Sequence, residues 1–170
     1  MNIQDALERV LRSYEGYYNV SSEGPVPFAA SAVFHLHDEQ YFLTKKAKIS
    51  TSDSHEYVYF ATIAVLDEDT LAHLVEEAWN LGLSQVTPAW NQKGSDISLF
   101  ILTEAMEDSV ARLIRRTRRS RNYFGMLKGW SNFRLIAYDT VSGNRAYNRL
   151  GESLAEVVDN IFGKREEGKL

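Results

Sequence analysis

The chain has 170 residues, of which 44% are hydrophobic and 25% are charged, and its formal net charge is −4. These values are ordinary for a globular protein, and this length predicts one domain, residues 1–170. The absence of cysteine excludes disulfides, thiolate metal sites and a cysteine nucleophile.

No run of about 18 apolar residues is present, so the sequence predicts no membrane span. The first residues carry Asp5 and Glu8 among their apolar positions, whereas a secretory signal needs an unbroken apolar run. These two observations predict a cytoplasmic protein.

The first elements in chain order are a helix and a set of strands. Apolar residues recur at helical spacing over 3–15, which predicts an N-terminal helix within 1–20. SSEGPVP at 21–27 predicts a loop. Residues 29–37 and 41–49 flank a short polar turn and predict a hairpin, and 56–66, apolar on both faces, predicts a central strand.

The second half alternates helices with strands. The sequence predicts a helix that Asp67 or Asp69 caps and Gly82 ends, a strand at 96–104, a helix at 107–119, a strand at 130–140, a turn into a strand at 145–150, and a helix at 152–162. In the helix at 107–119, the predicted buried positions are Val110, Leu113, Ile114 and Thr117.

This order predicts an α+β fold: a mixed, mostly antiparallel sheet of about six strands with four helices packed on it. The core should span residues 28–163, and 164–170 are predicted to form a disordered tail.

Basic residues are concentrated in one part of the chain. No acidic residue occurs between Asp108 and Asp139, so this interval carries a formal charge of +8 and the remainder carries −12. Such asymmetry indicates the charge of a binding partner rather than a fold. The predicted binding residues for an anionic partner are Arg112, Arg115, Arg116, Arg118, Arg119, Arg121, Tyr123, Phe124, Lys128 and Trp130.

Several partners suit this segment. Cations near a helix C-terminus gain about 0.3–1 kcal/mol each from the helix dipole, which accounts for two or three of the arginines. The others could pair with acids of the same chain, the candidates being Glu76, Glu77, Glu104, Glu107 and Asp108. They could instead bind an acidic partner protein or a second subunit, or, with the neighbouring aromatics stacking on bases, a single-stranded nucleic acid. The sequence favours a non-enzymatic interaction domain with no cofactor.

Catalytic motifs are scarce. His35 and His37 would share one face of a strand and are the candidate ligands of a metal-dependent enzyme, although a metal site needs three or four converging ligands. The order of elements resembles the core of restriction-endonuclease-like nucleases, but Val58 stands two residues after Glu56, where such a core needs a lysine. Asp139 and Asn148, on the arms of the last hairpin, could contact a ligand or bond the backbone of their own turn.

Four segments carry a resemblance to a known family. YFLTKKAKI followed by HEYVYF, then GW, then AYDTVSGNRAYNRLGESL are similar to a family of uncharacterised prokaryotic proteins. These segments cover about the last three-quarters of the chain. The resemblance implies a small cytosolic domain and assigns no catalytic residue.

Overall fold

The computed structural model describes residues 1–35, 55–88, 94–125 and 127–164, with only the backbone of His35. Within these ranges the chain forms four α-helices and seven strands, which confirms the predicted α+β class. The helices are α1 (Ile3–Tyr14), α2 (Glu68–Gln85), α3 (Asp108–Arg116) and α4 (Glu152–Phe162). The strands are β1 (Asn19–Ser21), β2 (Ala30–His35), β3 (His55–Leu66), β4 (Ser95–Met106), β5 (Ser120–Asn122), β6 (Trp130–Asp139) and β7 (Arg145–Tyr147).

One mixed sheet joins all seven described strands. Its order is β1-β2-β3-β4-β6-β5. On the same side of β6, β5 pairs with residues 130–132 and β7 pairs with residues 136–138. The pairs β3–β4 and β4–β6 are parallel and the remaining pairs are antiparallel. The helices α2 and α3 form the two crossovers between parallel strands, because parallel neighbours cannot be joined by a tight turn.

Helices cover both faces of the sheet. Alternate side chains of the central strands pack against α2 and α3 on one face, such as Tyr57, Ile97 and Phe133. The intervening side chains, such as Val58 and Phe100, pack against α1 and α4 on the other. Strand β3 is therefore covered on both sides, as its double apolar pattern predicts.

Helix α2 begins as predicted and ends later than predicted. The side chain of Asp67 accepts a hydrogen bond of 2.7 Å from the backbone N–H of Thr70, which makes it the N-cap. The helix then continues through Gly82 to Gln85, so the predicted end at Gly82 was wrong. A Cβ at Gly82 would lie 2.5 Å from side-chain carbons of Ile97, so this glycine lets the helix pack closely on β4.

Helix α3 is shorter than predicted. It ends at Arg116 rather than Arg119, because Thr117 is already extended, with a ψ of 126°. The buried positions are Val110, Ala111 and Ile114, whereas Leu113, predicted to be buried, is 40% exposed. Residues 118 and 119 therefore belong to an extended connection that leads into β5.

The N-terminal helix is confirmed. The predicted end of the strand 145–150 was wrong, because β7 ends at Tyr147 and a 3-10 helix follows at Arg149–Gly151. Strands β1 and β5 have three residues each and were not predicted. The predicted strand 41–49, the end of the run 29–37, most of the loop 91–95 and residues 165–170 lie outside the described residues. The domain boundaries therefore stay predictions. No helix in the described part of the chain is long and apolar enough to cross a membrane.

Candidate functional site

The six clustered arginines occupy three consecutive parts of the fold. Arg112, Arg115 and Arg116 lie on α3, Arg118 and Arg119 lie in the connection, and Arg121 lies on β5. All six are exposed. They form a continuous stretch of the chain from α3 to an edge of the sheet, which we call the arginine surface.

Ion pairs neutralise little of the arginine surface. Arg119 lies 3.9 Å from the carboxylate of Glu76, with both side chains largely exposed, and such pairs contribute little to stability. The other five arginines make no ion pair with any carboxylate in the described ranges. Self-pairing with this chain's acids therefore accounts for one of the six.

An open cleft of about 550 Å³ lies between α2 and α3 beside these arginines. Arg116, Arg118 and Arg119 line its basic side, and Glu68 and Glu76 line the side formed by α2. Apolar side chains also line it, namely Leu71, Val75 and Leu113. The cleft can therefore accept a group with both an apolar and an acidic part.

The neighbouring aromatic residues differ in exposure. Phe124 is 68% exposed, and the ammonium of Lys128 lies 4.5 Å from the centre of its ring. Tyr123 and Trp130 are half-buried. The Tyr123 hydroxyl is 3.1 Å from that of Ser131, and the Trp130 indole covers Gly94 so closely that a Cβ there would lie 2.4 Å from its nitrogen. Packing within the protein therefore occupies much of two of the three aromatics.

The end of α3 and the start of β5 are held by one buried side chain, Asn148. Its amide nitrogen donates to the carbonyl oxygens of Thr117 (3.1 Å) and Phe133 (3.0 Å), and its oxygen accepts from the backbone N–H of Leu135 at 3.0 Å. The carbonyl of Arg119 accepts from the N–H of Phe133 at 3.1 Å. These bonds fill the gap that β5 and β7 leave along β6, and they fix the backbone of the connection.

The last hairpin uses its acid in the same way. Asp139 accepts hydrogen bonds of 2.9 Å from the backbone N–H groups of Val141 and Ser142. Asp139 therefore bonds the backbone of its own turn, which was one of its two predicted uses, whereas Asn148 bonds the backbone of β6 and of Thr117 instead.

A second polar cluster lies on the α1/α4 face, at the N-terminal ends of the parallel strands. Arg134 donates a hydrogen bond of 2.8 Å to Asp96 and lies 3.7 Å from the carboxylate of Glu56. Glu56 also accepts hydrogen bonds from the hydroxyls of Tyr18 and Ser98, the latter at 2.9 Å. We call these five residues the ionic cluster.

Sequence reasoning did not find the ionic cluster. Arg134 was counted only in the charge of the interval between Asp108 and Asp139, and Glu56 was considered only for a nuclease. The sheet brings the charges together, because Glu56 pairs with Asp96 across β3 and β4, and Ser98 pairs with Arg134 across β4 and β6. The available signal was a charged or polar residue that interrupts each of three apolar strands.

The cluster changes the acidity of its neighbours. Burial, together with the carboxylate of Glu56, raises the pKa of Tyr14 and of Tyr18 well above the ordinary tyrosine value. Burial also raises the pKa of Asp96, an effect that the Arg134 guanidinium opposes. Both tyrosine hydroxyls therefore stay neutral at physiological pH.

The metal hypothesis is left without a structural test. His37 and the side chain of His35 lie outside the described residues. Among the residues that are described, no group of three or more histidine or acidic side chains could hold a metal ion.

A family model described as "Domain of unknown function (DUF8052)" matches residues 2–160. This span contains both the arginine surface and the ionic cluster. No curated protein and no solved structure matches the chain. The resemblance to an uncharacterised family is thus confirmed, and the chain belongs to the DUF8052 family, a domain of unknown function.

Proposed function

We propose that this protein is a non-enzymatic binding domain whose arginine surface contacts an acidic surface of a partner protein. The observation that carries the proposal is that five of the six arginines are exposed and have no ion pair within the described residues. A guanidinium binds carboxylates through a planar fork of donors, so arginine suits this role better than lysine.

The cleft between α2 and α3 favours a protein over a nucleic acid. Its apolar residues Leu71, Val75 and Leu113 adjoin the arginines, and a protein segment can fill it with one apolar side chain flanked by acids. Single-stranded nucleic acid uses exposed rings for stacking, and of the three aromatics here Phe124 is largely exposed whereas Tyr123 and Trp130 are half-buried.

A second copy of this chain meets the same requirement. The residues outside the basic interval carry a formal charge of −12, so a neighbouring subunit can supply the acidic surface. Self-association through the arginine surface would then weaken as salt screens the charges. Sedimentation of the free protein at low and high salt distinguishes this partner from a different protein.

Binding of defined anions tests the proposal. We would measure the affinity of the protein for fluorescent polyglutamate and for a single-stranded oligonucleotide by fluorescence anisotropy. The variant is Arg115→Glu with Arg118→Glu, because neither arginine has an ion pair to lose within the described residues. The matched control is Arg12→Glu with Arg149→Glu, which makes the same charge change at two exposed sites elsewhere.

The expected result is specific to position. Polyglutamate should bind the wild type, and the Arg115/Arg118 variant should bind it about tenfold or more weakly, because two attractive charges become repulsive. The control variant should lose much less of its affinity for polyglutamate. Equal losses in both variants would mean that only net charge matters, and preferential binding of the oligonucleotide would favour the nucleic-acid hypothesis instead.

A further inference from the structure

A second cleft, of about 290 Å³, lies on the opposite face of the sheet from the arginine surface. It opens between the C-terminal end of α1 and helix α4, above the ionic cluster. Its walls include three tyrosines, several hydroxyl and amide groups, and apolar side chains of α4. The lining residues used below are Tyr14, Tyr17, Tyr18, Glu56, Arg134 and Val157.

The ionic cluster lies beneath this cleft and links Tyr18 with three strands of the sheet. The same face is otherwise apolar, with Val58, Phe60 and Phe100 completely buried next to it. Replacing a buried ion pair by apolar side chains is often neutral or stabilising, because desolvation offsets the attraction between the charges. Two of the three charged residues, Glu56 and Arg134, line the cleft, and an apolar cleft with a few convergent polar groups is the usual form of a binding site.

The charges of the cluster do not balance. Glu56 and Asp96 carry one negative charge each, and Arg134 is their one cationic neighbour among the described residues. The guanidinium hydrogen-bonds Asp96 at 2.8 Å but lies 3.7 Å from Glu56. Of the two carboxylates, Glu56 has the longer ion pair, its other contacts being the neutral hydroxyls of Tyr18 and Ser98, and it is the one that lines the cleft.

The cleft gives a ligand access to Glu56. The side chain of Glu56 is 11% exposed although it lies at the floor of the cleft. Tyr14, Tyr17 and Tyr18 line the cleft, and the rings of Tyr14 and Tyr18 make an edge contact with centroids 4.7 Å apart. Aromatic rings attract cations through their electron-rich faces, and the hydroxyls of Tyr14 and Tyr18 stay neutral at physiological pH.

We propose that this cleft binds a small organic cation whose ammonium or guanidinium group contacts Glu56 among the tyrosine rings. The volume of about 290 Å³ equals the space of roughly ten water molecules, so the ligand is smaller than most drug-sized molecules. Hydroxyl and amide groups at the rim can bond a polar far end. The site is separate from the arginine surface and does not depend on the function proposed for it.

Small probes of equal size and different charge test this assignment. Butylammonium and butylguanidinium are the cationic probes, and butanol and butyrate are their neutral and anionic analogues. Binding to the intact protein is followed by NMR titration of backbone amides. The main variant is Glu56→Gln, which removes the charge; its one amide oxygen can accept from only one of the hydroxyls of Tyr18 and Ser98, and its NH2 group can donate to the oxygen of the other. The control, Glu8→Gln, makes the same change on the exposed side of α1.

We expect saturable binding of both cations, with shifts in α1 and α4, and no saturable binding of butanol or butyrate. Glu56→Gln should weaken the binding of both cations about tenfold or more, and Glu8→Gln should leave their affinity unchanged. If Glu56→Gln does not fold, Val157→Trp tests the site, because a larger side chain on α4 would fill the cleft and abolish binding. The proposal is overturned if neither cation binds, if butyrate binds as well, or if the cleft variants bind as the wild type does.

Discussion

Asn148 connects the fold to the arginine surface, so its removal is the most informative stability test. The side chain is 3% exposed and makes three hydrogen bonds to backbone groups on β6 and at the end of α3. Asn148→Ala would leave the N–H of Leu135 and the carbonyls of Phe133 and Thr117 without this partner. The backbone that carries Arg118 and Arg119 would lose its main anchor at Thr117.

The expected loss follows from these three bonds. A buried polar group left without a partner costs about 1–3 kcal/mol, and a carbonyl costs less than an N–H because its second lone pair can bond elsewhere. Taking about 1 kcal/mol for each group gives about 3 kcal/mol, which lowers the melting temperature by roughly 6–12 °C in a protein of this size. Asn148→Asp should cost at least as much at neutral pH, because its carboxylate would face two carbonyl oxygens.

Urea unfolding at equilibrium measures this loss. The control is Asn144→Ala, at an exposed position in the same hairpin, which should stay within about 0.5 kcal/mol of the wild type. A loss below about 1 kcal/mol for Asn148→Ala would refute the reasoning, since that is the size of an ordinary substitution. It would mean that the gap along β6 is not held by this side chain.

Two further predictions concern packing and pH. Gly82→Ala should destabilise the protein by about 1 kcal/mol despite the better helix propensity of alanine, because its Cβ would overlap Ile97. The double variant Gly82→Ala with Ile97→Val should recover part of this loss of stability. A Gly82→Ala variant more stable than the wild type would contradict the close packing. Burial raises the pKa of Tyr59 to about 12. Tyrosine in the unfolded chain ionises near pH 10, so stability should be complete below about pH 10 and should fall as the pH rises toward 12. Tyr59→Phe should reduce this fall in urea unfolding, and an unchanged pH dependence would exclude Tyr59 as a source.

Elements with a long apolar pattern could be predicted from sequence. The helices α1 and α4 and the strands β3 and β6 lie close to their predicted bounds, because each buries a regular set of side chains. The end of α3 could not be predicted, since apolar spacing continues to Thr117. It is set by Asn148, which is 31 residues further along the chain. The strands β1 and β5 are too short for a periodic pattern.

The two candidate sites differ in how visible they are in the sequence. The arginine surface is a local cluster, so its existence could be predicted from composition. That five of its six arginines have no ion pair within the described residues required the positions of Glu76 and the other acids. The ionic cluster depends on the order and register of three strands. Glu56 and Arg134 come from distant parts of the chain and meet because β4 lies between their strands.

Labelling of arginines by phenylglyoxal, read out by mass spectrometry for each residue, tests the central claim most directly. The account predicts that Arg115 and Arg118 react as fast as the exposed Arg12, and faster than Arg134 and Arg145, which are ion-paired and partly buried. Saturating polyglutamate should then slow the labelling of Arg115 and Arg118 and leave the labelling rate of Arg12 unchanged. Labelling of Arg115 and Arg118 as slow as that of Arg134 in the free protein would contradict an exposed, unpaired arginine surface.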